Sequence, residues 1–86
     1  MTVKNNSLQT SAWRIERSGE FGSYAVSAWR YTDLAIWHVN IWLRTDRRPE
    51  RTYVVAAGEF YPATVTAEEQ FGVLRLIAAW EAKDPK

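Results

Sequence analysis

The stretch SYAVSAWRYTDLAIWHVNIWLR, residues 23–44, decides the fold. It contains two runs rich in Trp, Tyr, Val and Ile, Ser23–Tyr31 and Leu34–Arg44, which are separated only by Thr32 and Asp33. Residues of these types favour β-strands, and so short a separation is typical of a tight hairpin. Residues 23–44 are therefore predicted to form two adjacent antiparallel strands.

The two faces of this hairpin differ in composition when Tyr31 is set opposite Leu34, because side chains alternate along a strand. The first face is nearly all apolar: Tyr24, Val26, Ala28, Ala35, Trp37, Val39, Ile41 and Leu43. The second face is polar but carries several rings: Ser23, Ala25, Ser27, Trp29, Tyr31, Leu34, Ile36, His38, Asn40, Trp42 and Arg44. We expect the first face to be the core and the second face to point outward.

Short strands are predicted on both sides of the hairpin. Trp13 and Ile15 alternate with polar residues, and the turn-forming stretch Ser18–Gly22 follows them, so the first strand should be short. Thr52–Ala57 is predicted to be a fourth strand, bounded by Gly58. The strands are expected to follow one another as a meander.

A helix is predicted after the strands. Thr66 followed by Glu69 is a capping box, so the helix should begin at Ala67. Its apolar residues fall on one broad side: Val73, Leu74, Leu76, Ile77 and Trp80. The sequence therefore predicts an α+β fold in which an antiparallel meander of about four strands packs on one C-terminal α-helix.

The chain length fits one domain. Residues 1–10 are polar and lack periodicity, so they are predicted to be a flexible lead-in, with a single domain over residues 11–82 and a polar tail over residues 83–86. No secretory signal and no membrane span are predicted, and the absence of cysteine suits a cytoplasmic setting.

Catalytic and metal chemistry are not expected. His38 is the one histidine, there is no cysteine, and no glycine-rich phosphate loop is present. The adjacent acids Glu68 and Glu69 are explained by the first turn of the helix, where carboxylates are favourable. We therefore predict that the chain is not an enzyme, that it uses no cofactor and that it holds no metal.

A binding surface is the remaining prediction. The chain has five Trp, and eight Arg against three Lys, a composition typical of protein interfaces. Phe71 points away from the apolar side of the helix and is a possible dimer contact. Three tryptophans, Trp13, Trp37 and Trp80, are expected in the core. The predicted binding surface consists of Trp29, Tyr31, His38, Trp42, Arg44, Arg47, Arg48 and Arg51.

The order of elements resembles a known family. The segment VTAEEQFGVLRLI, residues 65–77, is similar to the strand end and helix entry of transcriptional coactivators of the positive-cofactor-four type, and Tyr24–Arg44 is similar to their central hairpin. The resemblance implies homodimers that bind single-stranded DNA. A basic segment leads into the helix in that family, whereas Gly58–Pro62 occupies its place here.

Three functions of different classes stay open at this point. The favoured hypothesis is a protein-binding inhibitor or adaptor, of the sort carried by phages and mobile elements, because ring and Arg enrichment is combined with a net charge of only +1. The second is single-stranded nucleic-acid binding, in which Trp29, Trp42, Tyr31 and His38 would stack bases. Arg14, Arg44 and the loop arginines would then follow the backbone. An enzyme ranks third, because no catalytic grouping is recognisable, and a purely structural subunit is the remaining alternative.

Overall fold

The computed structural model describes residues 12–45 and 50–84. Within these residues, five antiparallel strands form a meander, and one helix covers one face of the sheet. The elements are β1 Arg14–Phe21, β2 Tyr24–Tyr31, β3 Ile36–Leu43, β4 Arg51–Ala56, β5 Glu59–Tyr61 and α1 Ala67–Lys83. The predicted α+β meander with one C-terminal helix is confirmed, with one strand more than expected.

The register of the central hairpin differs from the prediction, but its faces do not. The structure pairs Ala28 with Val39, whereas the predicted pairing set Ala28 opposite Trp37. The turn is longer than expected, and within it the Leu34 N–H donates to the Tyr31 carbonyl at 3.2 Å. Because Val39 and Trp37 differ by two positions on β3, every side chain keeps its predicted face.

The first strand is longer than predicted. Residues 18–21 continue the pairing with β2, and the turn lies at Gly22 and Ser23. Gly19, which the sequence analysis assigned to a turn, lies in mid-strand, where the helix passes close. A Cβ at Gly19 would lie 2.7 Å from Leu76 Cδ2, so a side chain there would force the Leu76 side chain of α1 to shift.

The additional strand β5 comes from a tight turn at Ala57 and Gly58. Both residues have positive φ, 54° and 80°, as type I′ hairpin turns require. The turn pairs Ala56 with Glu59, and β5 ends at Tyr61, just before Pro62.

The core lies between α1 and the predicted apolar face of the sheet. Val39 is 0% exposed and Trp37 is 1% exposed, and the indole N–H of Trp37 donates to Glu81 Oε2 at 3.0 Å. The buried hydrophobic residues are Val26, Ala28, Trp37, Val39, Ile41, Tyr53, Val55, Phe60, Val73, Ile77 and Trp80. The predicted apolar sides of the hairpin and of the helix are therefore confirmed.

The helix begins with the predicted capping box. The Glu69 N–H donates to Thr66 Oγ1 at 3.1 Å, and the Thr66 N–H donates to Glu69 Oε1 at 3.2 Å. Glu69 is fully buried, and its second carboxylate oxygen forms an ion pair with Arg51 of β4. The cap thus also ties the start of α1 to the sheet.

The end of the helix is held by charge as well. Asp84 caps α1, and its side chain is 2% exposed and forms ion pairs with Arg17 of β1 and Arg30 of β2.

The folded region therefore extends past the predicted domain boundary at residue 82, while residues 1–10 of the predicted lead-in lie outside the described residues. In the described part of the chain, no helix is long and apolar enough to cross a membrane.

Candidate functional site

The sheet face opposite α1, called here the outer face, carries most of the predicted binding residues. Strand alternation and the observed register assign residues to it. Its members are Arg14, Glu16, Ser18, Glu20, Ala25, Ser27, Trp29, Tyr31, Ile36, His38, Asn40, Trp42, Arg44, Thr52, Val54, Ala56, Glu59 and Tyr61. No other described element lies over this face.

The rings of the outer face concentrate in one half of it. The register aligns Trp29, His38, Val54 and Tyr61 in a single row across four strands. The neighbouring row, toward the β2–β3 turn, contains Tyr31. We call these two rows the aromatic half. Tyr31 is 41% exposed and Tyr61 is 55% exposed, so rings are accessible at two places on it.

Trp29 is the centre of the aromatic half and is enclosed by its neighbours. The His38 ring stacks on it at 4.0 Å with an interplanar angle of 8°, and the Arg14 guanidinium lies over the ring at 4.1 Å from its centroid. Arg14 belongs to β1 and His38 to β3, the strands on either side of β2, so the two groups approach the indole from opposite sides. Tyr31 approaches the same indole edge-to-face at 5.3 Å. The indole therefore presents an edge to solvent.

Trp42 and Arg44 lie at the other end of the outer face. A polar row separates them from the aromatic half, and in it Thr52 Oγ1 donates to Asn40 Oδ1 at 2.9 Å. Trp42 lies four positions along β3 from His38, about 13 Å at the usual strand rise. The predicted binding surface is therefore split into two groups.

The described arginines of the sheet are paired with acids. On the outer face, Arg14 Nη2 lies 3.5 Å from Glu16 Oε2, and Arg44 Nη1 lies 3.4 Å from Glu20 Oε1. Arg51, which was predicted to belong to the binding surface, lies on the helix side of β4 instead, with its guanidinium on Glu69. The structure thus separates Arg51 from the aromatic half. Arg47 and Arg48 lie outside the described residues.

The structure contradicts the predicted burial of Trp13 and agrees with the predicted exposure of Phe71. Trp13 was expected in the core but is 66% exposed, because it precedes β1 and lies beyond the helix-covered part of the sheet. Phe71 is 65% exposed on α1, as expected from its place off the apolar side. It borders a groove between α1 and β1 with a volume of about 440 Å³.

Two residues of the aromatic half were missed by the sequence analysis. Tyr61 was not assigned to a strand, because the Ala57–Gly58 turn lacks the usual Asn-Gly signal. Its hydroxyl donates to Glu59 Oε1 at 3.1 Å, and this carboxylate raises the pKa of Tyr61 above its ordinary value. Arg14 was named only in the nucleic-acid hypothesis, as a contact to the backbone. Its place over Trp29 was not predicted, because that contact depends on the register of β1 with β2.

The described residues contain no cluster of three His, Asp or Glu side chains that could hold a metal ion. Comparisons with family models, with curated proteins and with solved structures gave no match. The outer face, and in particular its aromatic half, is therefore the candidate functional site on the geometry of this chain alone.

Proposed function

We propose that this chain is a non-catalytic protein-binding module, an inhibitor or adaptor in the cytoplasm, and that its aromatic half contacts the partner. The observation that carries the proposal is the single row in which Trp29, His38, Val54 and Tyr61 cross four strands on a face that no described element covers. A partly apolar patch with rings at its centre and charged residues at its border has the composition of protein interfaces.

The enclosure of Trp29 favours a protein partner over single-stranded nucleic acid. Nucleic-acid platforms stack bases on open aromatic faces. Here His38 and Arg14 occupy both faces of the Trp29 indole, so a base could stack only by displacing one of them. The edge of the indole and the exposed Tyr31 and Tyr61 rings suit apolar side chains of a partner protein.

The charges of the outer face support the same choice. Its arginines, Arg14 and Arg44, each lie beside a carboxylate, and Glu59 adds a further negative charge at the β5 edge. Phosphate binding depends on positive charge that is not already neutralised. Single-stranded nucleic-acid binding, which the resemblance to positive-cofactor-four coactivators implies, remains the first alternative. A structural subunit remains the second alternative.

The proposal can be tested by capture from cells of the source organism with the immobilised protein. Replacing both Tyr31 and Tyr61 by Ser removes the exposed rings of the aromatic half and should lower partner recovery at least about tenfold, as loss of interface anchors does. Phe71→Ser is the matched control, because it removes a ring that is more exposed than either tyrosine but lies on the helix side. It should leave recovery unchanged.

A titration with a single-stranded oligonucleotide separates the two binding classes. We expect no saturable binding, and we expect capture of the protein partner to change little between about 0.05 M and about 0.5 M salt. Oligonucleotide binding that weakens linearly in a log–log plot against salt, and that the Tyr31 and Tyr61 replacements abolish, would contradict the proposal and favour the alternative.

A further inference from the structure

The outer edge of β1 is a strand edge with unpaired hydrogen-bonding groups in the described part of the chain. The Trp13 carbonyl accepts from the Thr32 N–H at 2.9 Å, which places the odd-numbered residues of β1 in hydrogen-bonded pairs with β2. The even-numbered residues therefore direct N–H and C=O groups away from the sheet: Arg14, Glu16, Ser18 and Glu20. Such an edge is a template for another strand.

We propose that β1 pairs antiparallel with β1 of a second copy of this chain, around a two-fold axis at Arg17. In this register Arg14 lies opposite Glu20 of the second copy, and the symmetry repeats this pair. Glu16 lies opposite Ser18 of the second copy. Even-numbered residues meet in hydrogen-bonded pairs, so each backbone group on this edge finds a partner.

The charges of the facing side chains favour this register over the two adjacent registers. An axis at Ser18 would set Glu16 opposite Glu20, and an axis at Glu16 would set that residue opposite its own copy. Like charges directly opposite each other destabilise strand pairing, whereas opposite charges stabilise it. Of these three central registers, the axis at Arg17 is the one that sets opposite charges against each other.

The same register explains two exposed rings on the helix side. Trp13 of the second copy lies opposite Phe21, and strand alternation directs both side chains to the helix side of the sheet. Phe21 lines the groove of about 440 Å³ between α1 and β1, together with Phe71 and Leu76. Trp13 is 66% exposed and Phe71 is 65% exposed, so the pairing would bring one ring of each copy to a groove of the other.

Two local contacts are compatible with the pairing. Arg17 would face its own copy across the axis, and the ion pair between its guanidinium and the buried Asp84 offsets part of the repulsion between the two copies of Arg17. The Glu16 carbonyl accepts from Arg17 Nη1 at 2.9 Å, and a carbonyl oxygen has a second lone pair for the N–H of the added strand.

The first test is the mass of the full chain in solution by light scattering, across a dilution series. We expect twice the chain mass of 10.0 kDa at the highest concentrations and a return toward 10.0 kDa on dilution. A mass of 10.0 kDa up to several hundred micromolar would overturn the proposal, because binding that weak would not assemble copies under ordinary conditions.

The second test is a charge exchange within the predicted pair. Glu20→Arg and Arg14→Glu should each weaken dimerisation about tenfold, because each sets like charges opposite each other twice. The double variant Arg14→Glu with Glu20→Arg should restore it. Arg44→Ala is the matched control, since it removes the intrachain partner of Glu20 and leaves the edge intact. Single variants without effect, or a double variant that is not restored, would overturn the register.

The third test addresses the backbone. Ser18→Pro removes an N–H that points away from β2, so it should abolish dimerisation while thermal unfolding monitored by circular dichroism stays cooperative. Ser18→Thr keeps the N–H and should dimerise like the parent. Equal dimerisation of both variants would exclude pairing through this edge. The Tyr31 and Tyr61 replacements should not change the mass, so failure of this proposal is distinguishable from failure of the proposed function.

Discussion

Backbone conformation at single residues accounts for the main difference between the predicted and the observed strand count. Ala57 holds φ at 54°, a left-handed value that few residues other than Gly, Asn and Asp adopt readily. An alanine at this position gives no turn signal in the sequence. The β4–β5 hairpin was therefore missed, and with it the position of Tyr61 on the outer face.

The positive φ values at this turn predict that two substitutions change the free energy of unfolding in opposite directions. Ala57→Asn should raise the free energy of unfolding by about 0.5 to 1 kcal/mol, because Asn tolerates positive φ better than Ala. Gly58→Ala should lower it by about 1 kcal/mol for the same reason, since no atom lies within 4 Å of the added Cβ and sterics contribute nothing else. Urea unfolding measures both changes, and equal effects of the same sign would contradict this explanation.

At the scale of elements, hydrophobic alternation was sufficient to predict the faces of the central hairpin. It could not predict the register, because a shift by two positions exchanges Trp37 for Val39 opposite Ala28 and leaves the pattern of faces unchanged. The C-terminal part of β1, residues 18–21, was not predicted for another reason. Glycine is typical of turns, so Gly19 was assigned to one. The close approach of Leu76 on α1 to Gly19 is a tertiary contact, which the local sequence pattern does not reveal.

The candidate site was predictable to a similar extent. Alternation placed Trp29, His38 and Trp42 on one face, but only the cross-strand register shows that a polar row divides them. Arg51 was grouped with the outer rings because it ends the charged stretch Thr45–Arg51 and belongs to its arginine cluster. Its pairing with Ile41 places it on the helix side, and the buried Glu69 opposite it belongs to the cap of α1.

Adjacent residues on β3 provide a test of which face is the core. Val39→Asp should unfold the domain, because an unpaired charge at a position that is 0% exposed costs several kcal/mol, about the whole stability of a small domain. Asn40→Asp is the matched control on the outer face, where the new carboxylate can still accept from Thr52, and it should melt close to the parent. A cooperative melt of Val39→Asp near the parent temperature would contradict the assignment of the core.

At the scale of the whole molecule, two charged contacts fasten the ends of α1 to different strands. Arg51 and Glu69 join the helix start to β4, while Asp84 joins the helix end to Arg17 and Arg30 on β1 and β2. The helix is thereby fixed diagonally across the sheet. Asp84 is favourable at a helix C-terminus only because two guanidinium groups offset the repulsion from the helix dipole.

Removal of this carboxylate should weaken the entire fold. Asp84→Ala is expected to lower the free energy of unfolding by about 3 kcal/mol, since it leaves the largely buried Arg30 without its acid. Glu16→Ala, which removes the exposed partner of Arg14, should change it by less than about 1 kcal/mol. Chemical denaturation compares the two variants, and similar losses for both would show that Asp84 contributes no more than a surface pair.

The sequence position of the helix has a consequence for biosynthesis. All five strands precede α1, and the contact between Arg17 and Asp84 joins residues 67 positions apart. A growing polypeptide can form its hairpins as each strand is made, because these pairings are local. The apolar face that contains Trp37 and Val39 nevertheless stays uncovered until the helix residues have been translated. Nascent chains of this protein therefore expose a sheet that chaperones can bind, and the core closes only when α1 reaches that face.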